Sequence, residues 1–131
     1  MAEVDLHLHT TISDGRLTPQ QLVHLVASRG LRVVAVSDHD ITDGLEAAWD
    51  AAEEYPQLTI IPGVELSTDI PGNEIHVLGY CINYRAADFQ AALKRFRDSR
   101  VGRAQGMVER LRALGMPVDW ERVQQIAGEG A

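Results

Sequence analysis

Leu31-Arg32-Val33-Val34-Ala35-Val36-Ser37-Asp38-His39-Asp40 decides the fold class, because a β-branched apolar run of strand length ends here in two carboxylates and an imidazole. A run that is apolar at successive positions, rather than at alternate ones, is what a strand of a parallel sheet needs when both its faces are covered. Toward the N-terminus, residues 18–30 supply a helix to cover it. Thr18 is an N-cap, Pro19 takes the first helical position and Gln21 completes a capping box. Leu22, Leu25 and Val26 make the apolar stripe, and Gly30 ends it. Before that helix, Val4, Leu6 and Leu8 alternate with Asp5, His7 and His9 in the period of a short first strand. Toward the C-terminus, Thr42 is expected to cap a second helix with Leu45, Ala48, Trp49 and Ala52 on its inner face, stopped by Pro56. Residues 58–61 and 75–82 read as two more strands, separated by the turn-rich segment 68–73 with its Pro71-Gly72-Asn73. Strand starts near residues 4, 32 and 58 recur at the spacing of β/α units, so the expectation is an α/β fold with mainly parallel strands, either a sheet or part of a barrel.

The remainder has another character. Residues 86–114 read as one long helix or two joined ones, with Phe89, Leu93, Phe96, Ala104, Met107, Leu111 and Leu114 on a stripe and Gly102 and Gly106 weakening the middle. Gly115-Met116-Pro117 ends it, residues 120–126 make a further short helix, and 127–131 run out without a strand. Residues 1–84 hold 13 acidic and 3 basic side chains, net -10, and all five histidines; residues 85–131 hold 6 and 9, net +3. The acidic part suits cations and the basic part an anionic substrate. The 131 residues, 45% hydrophobic and 24% charged, are read as a single globular domain, with β/α units over 1–84 and a helical segment over 85–131. No stretch has the roughly 18 apolar residues of a membrane span, and Glu3, Asp5 and His7 interrupt any signal-peptide core, so a cytoplasmic location is expected. Cys81, the single cysteine, excludes an internal disulfide and a cysteine-based zinc site, and reads as a small core residue.

Potential metal ligands gather at the strand ends: His7 and His9 on the first strand, His39 after the second, Glu65 just after the third and His76 within the fourth. Carboxyl ends of parallel strands are where α/β folds build sites. Residues i and i+2 of a strand project to one side, so His7 and His9 can grip one ion, with Leu6 and Leu8 packing on the other side. Asp14, in the turn Ser13-Asp14-Gly15, can fold back over the strand end. Imidazole mixed with carboxylate suits Mn, Fe or Zn, a carboxylate such as Glu65 can bridge two ions, and such clusters activate a hydroxide against phosphoryl groups. Asp38 and Asp40 read as partners of a ligand or as turn residues rather than ligands. His24 projects away from the apolar stripe of its helix and should be solvated. Arg100 interrupts the stripe of the long helix and wants an anion, either a substrate phosphate or a structural carboxylate, with Arg103 one turn on able to act with it. Arg95, Arg97, Arg110 and Arg112 read as a solvated face.

Asp5–Thr10 (DLHLHT), Ser13–Gly15 (SDG), Ser37–Asp40 (SDHD), Gly63–Glu65 (GVE) and His76–Tyr80 (HVLGY) resemble, in order, the N-terminal motifs of the polymerase and histidinol phosphatase (PHP) family. That resemblance implies the N-terminal half of a distorted (β/α)7 barrel with up to three divalent ions, Mn foremost and Zn, Fe or Mg as alternatives. It implies that His7 and His9 bind one ion, that Glu65 bridges it to a second held by His76, and that Asp14 and His39 hold a third. The family pattern continues with a His or Cys ligand and an Asp-x-His pair, whereas no histidine follows His76 here. The chain is therefore expected to be a fragment or a natural half.

The motif SDHDITDGLEAA and the Arg-rich segment resemble most the branch that removes the 3′-phosphate from nucleoside 3′,5′-bisphosphates, some members of which trim RNA 5′ ends. The implied activity is hydrolysis of a small phosphate monoester by a metal-activated hydroxide. A histidinol-phosphate phosphatase, a polymerase-type PHP domain, or a non-catalytic half that binds metal or self-associates are the alternatives.

Overall fold

The computed structural model describes residues 3–70 and 73–127. The order of elements is β1 (Val4–Leu8), α1 (Pro19–Ser28), β2 (Val33–Val36), α2 (Leu45–Ala52), β3 (Thr59–Ile70), β4 (Asn73–Tyr80), α3 (Ala87–Ala113) and α4 (Trp120–Ala127). The strands form one sheet in the order β1-β2-β3-β4. Its first two pairings are parallel, as expected, with Val4 beside Val33 and Val34 beside Ile60.

The third pairing is antiparallel, running from Gly63 beside Tyr80 to Ile70 beside Asn73. Only residues 71 and 72 separate the two strands, and a link of two residues closes a hairpin but cannot make a parallel crossover. β3 is also much longer than the segment 58–61 expected from hydropathy. Its first part lies on β2 up to Pro62 and its second part on β4 from Gly63, so two partners sustain one strand of 12 residues. Glu65 consequently sits inside the strand rather than after it. Gly63 stands where β2 comes closest: a Cβ there would lie 2.9 Å from the Val36 carbonyl oxygen. The expected turn at Pro71-Gly72 lies outside the described residues, as do the last four residues of the tail.

α1 has the expected start. The Thr18 hydroxyl accepts from the Gln21 amide at 3.2 Å, and the Gln21 side chain accepts from the Thr18 amide at 3.0 Å. Its buried face, however, is Leu22, Val23 and Val26, while Leu25 is 40% exposed. At about 100° per residue, Leu25 lies about 100° from the centre of the face that the other three define. α2 is capped at Gly44, not at Thr42. The Thr42 carbonyl instead accepts from the Leu45 amide, and its hydroxyl accepts from the Gln90 side chain at 2.8 Å. The core consists of Leu22, Val23 and Val26 of α1, Val34 and Val36 of β2, Leu45 and Ala48 of α2, and Leu58 and Ile60.

α3 is a single helix through Gly102 and Gly106. The expected stripe along it is mostly unburied: Leu93 and Val108 are its buried residues, and Met107 and Leu114 are exposed. Cys81 is exposed with φ 53, one residue past the end of β4, and so is no core residue. Among the described residues, no helix is long and apolar enough to cross a membrane.

Candidate metal centre

β1 and β4 are the two ends of the strand order, yet the Tyr80 hydroxyl donates to the Leu6 carbonyl at 2.9 Å. The sheet therefore curls until its first and last strands meet. Side chains from β1, from just after β2 and from within β3 and β4 are brought together around Glu65.

Glu65 is 3% exposed. Its Oε2 lies 2.7 Å from His7 Nε2, 3.0 Å from His9 Nε2 and 3.7 Å from His39 Nε2, while its Oε1 lies 2.6 Å from His76 Nδ1. Asp14 approaches from the loop after β1, with its carboxylate 3.3 Å from His9 Nδ1 and 3.6 Å from His39 Nε2. The turn that delivers it requires Gly15, where a Cβ would meet the His9 carbonyl oxygen at 2.4 Å. Three overlapping triads offer ligand atoms within 4.8 Å of one another: His7, His9 and Glu65; His9, Asp14 and His39; His39, Glu65 and His76.

Burial lowers the pKa of His39, against the raising influence of Glu65 and Asp14, and so favours the neutral imidazole that a metal needs. Burial raises the pKa of Glu65, but the hydrogen bond from His7, the proximity of His39 and the bond from His76 outweigh it and hold the carboxyl below its usual range. Imidazoles converging on a two-sided carboxylate fit the nitrogen and oxygen preferences of Mn, Fe and Zn. The six residues of the sequence reading are thus in one place. Their partition into sites overlaps more than expected, since His9 and His39 each belong to two triads.

Around them stands a layer of fixed polar groups. Asp38 is buried and accepts from the Thr10 amide at 2.7 Å, the Thr10 hydroxyl at 2.8 Å and the Ser13 hydroxyl at 2.7 Å, which ties the loop carrying Asp14 to the end of β2. Asp40, also buried, accepts at its side chain from the Ser67 amide at 3.0 Å and from Arg100 at 3.2 Å. Of the two partners open to Arg100, the geometry realises the carboxylate. Arg97 is not part of a solvated face: it donates to the Asp40 carbonyl at 2.6 Å. Nothing in the helical period marked it, because the carbonyl that it meets belongs to a residue 57 positions earlier. Thr10, Ser13 and Ser67 were not singled out either, although each lies within one or two residues of a candidate ligand. His24 is exposed, outside the cluster, with Nδ1 2.6 Å from the Tyr55 hydroxyl.

A cavity of about 400 Å³ opens beside His39 between α3 and α4, with Ile12, Ile41, Met107 and Trp120 on its apolar walls. Arg100 and Arg103 line it too.

The PHP domain model matches residues 5–96. The chain is 37% identical over 128 residues to the 5'-3' exoribonuclease Rnm of Salmonella typhimurium, covering 97% of this chain and 44% of that protein. It is 38% identical over 116 residues to the 3',5'-nucleoside bisphosphate phosphatase of Chromobacterium violaceum, covering 88% and 40%. A Bifidobacterium adolescentis structure assigned as a metal-dependent phosphoesterase superposes with a TM-score of 0.81 at 32% identity, over 98% of this chain and 44% of that one. The chain therefore spans less than half the length of the relatives it matches. With the ordered motifs, the curled sheet and the histidine cluster all agreeing with a match over most of its length, the chain belongs to the PHP domain family.

Proposed function

We propose that the chain carries the N-terminal part of a metal-dependent phosphoesterase site, for which Mn is the favoured ion, acting on phosphate monoesters of small nucleotides such as nucleoside 3′,5′-bisphosphates. The observation that carries this reading is Glu65: one buried carboxylate with its two oxygens turned toward different imidazoles, as a bridge between two ions requires. The bisphosphate phosphatase and exoribonuclease among the relatives support a nucleotide or an RNA 5′ end as substrate.

When bound, divalent ions at such a cluster lower the pKa of a water molecule and neutralise charge growing on phosphoryl oxygens. His7, His9 and Glu65 would hold one ion, Glu65, His39 and His76 a second, and Asp14 with His9 and His39 a third. Asp14, with its side chain 63% exposed, closes the solvent side. The cavity beside His39 receives the organic part of the ester, its apolar walls excluding water from one face. Arg103, at the cavity one turn beyond Arg100, faces a phosphate oxygen.

The test is phosphate release from adenosine 3′,5′-bisphosphate, a 5′-phosphorylated oligoribonucleotide and histidinol phosphate, with Mn²⁺ and again after chelation. Release from the first, abolished by chelator and well below the usual enzyme range of about 1 to 10³ per second, is expected of this chain by itself. Preference for histidinol phosphate overturns the substrate class. Bound Mn²⁺ with no release from any of the three makes the chain a metal-binding half without turnover.

A further inference from the structure

Asp40 is where the metal centre and α3 meet. It is fully buried and holds φ 54, a left-handed conformation uncommon outside glycine that aspartate adopts more readily than most residues. Toward the cluster, its amide donates to the Glu65 carbonyl at 2.9 Å and its Oδ1 accepts from the Ser67 amide, so it holds β3 at two points immediately C-terminal to the Glu65 side chain, while the Glu65 amide donates to the Asp38 carbonyl at 3.2 Å. Toward the helix, its carbonyl accepts from Arg97 and its Oδ2 from Arg100, two arginines on successive turns of α3. His39, the preceding residue, bridges directly to Glu65.

We infer that Asp40 is a positioning residue that couples α3 to the metal centre: clamped by the two arginines, it sets where Glu65 stands relative to His39. The inference rests on the reading of the cluster as a metal centre. The physical reason is the cost of a buried charge. With Arg100 removed, the buried Asp40 carboxylate has lost the cation that its side chain meets, and it must turn toward whatever donors remain. The Ser67 amide is the nearest of these, so the carboxylate takes β3 with it at the position of Glu65. Neither Asp40 nor the arginines are among the candidate ligands, and changes on α3 nevertheless reach the ions.

Co²⁺ is titrated into the whole chain, with affinity and visible absorption bands as readouts, in the wild type, Asp40→Asn, Arg100→Met, the double variant, and Arg95→Gln as an exposed control on the same helix. Asp40→Asn keeps an acceptor for Ser67 but presents an amide to Arg100. It is expected to weaken Co²⁺ binding about tenfold and to shift the bands, as changes behind a ligand do. Arg100→Met follows in the same direction, the double variant binds no more weakly than Asp40→Asn, and Arg95→Gln matches the wild type. Should Asp40→Asn fail to fold, Arg100→Met decides, since that side chain is 34% exposed. A lowered Tm with wild-type Co²⁺ affinity and bands in both single variants overturns the inference alone. A wild-type chain that takes up no Co²⁺ overturns it together with the metal-centre reading.

Discussion

Residues 3–84 bring nine side chains from α1, β2, α2, Leu58 and the start of β3 into one buried apolar cluster, whereas the 27-residue helix α3 fully buries only Leu93 and Val108 among its described residues and is also tied down by polar contacts. Among those contacts are the Asp40 bonds to Arg97 and Arg100 and the Gln90 side chain on Thr42 and the Tyr84 carbonyl, and just before the helix Arg85 pairs with Glu46. The difference is one of kind. Apolar burial is non-directional and holds the β/α part whether or not any one atom is well placed; the helix is held by bonds that fail individually when geometry shifts. Ligands that must converge to a few tenths of an ångström are built on the first part, and the element that walls the cavity on the second.

Two leucines test this most directly, since Leu45 is 1% and Leu93 0% exposed. Leu45→Ala removes a member of the main cluster and is expected to cost toward the top of the range of about 2–5 kcal/mol measured for such changes. Leu93→Ala should fall near its lower end, about 2 kcal/mol, because its surroundings on α3 can relax into the space. Urea unfolding gives both values, and hydrogen exchange should show α3 opening in Leu93→Ala while β2 stays protected. Equal costs with opening of both regions would break the comparison.

The second expected effect lies inside the site. Glu65→Gln should lose more bound metal per chain than Asp14→Asn, by about tenfold in affinity for the tighter ion, because a bridging carboxylate offsets the charge of two ions and the exposed Asp14 that of one. Mn²⁺ counted after dialysis measures it; equal losses count against the bridge.

The smallest effect concerns the surface clasp between the two regions. The Tyr84 hydroxyl and then Arg85 lower the pKa of Glu46, so the folded state holds this carboxylate ionised more firmly than the unfolded chain does. Its stabilisation is therefore present above the usual carboxylate range and is lost as pH falls through the depressed value. Glu46→Gln is expected to lower Tm slightly at neutral pH and to match the wild type in acid. The group is solvent-exposed, where ion pairs contribute little. A Tm difference that persists at low pH would assign the clasp to packing.

Read along the chain, residues 18–30 and 31–40 were the most legible, since a capping box and a buried strand depend on neighbours within a few positions. The order of β1, α1, β2 and α2, the six candidate ligands and the family were all carried by such local patterns. Thr42 and Leu25 depart from the local pattern for one reason: which of several suitable residues caps a helix or faces the core depends on what lies opposite. The length and second partner of β3, the antiparallel β4 and the exposure of Cys81 likewise depend on pairing across the sheet.

The sequence by itself determined which residue types would stand at the strand ends, because the period of a strand and the chemistry of imidazole and carboxylate are properties of a few adjacent residues. Only the tertiary structure decided that both oxygens of Glu65 would be used, that Asp40 would join strand to helix, and that Arg97 would turn inward. Each of these joins residues at least 11 positions apart, His76 to Glu65 being the nearest pair and Arg100 to Asp40 lying 60 apart. The curl of the sheet and the docking of α3 bring them together.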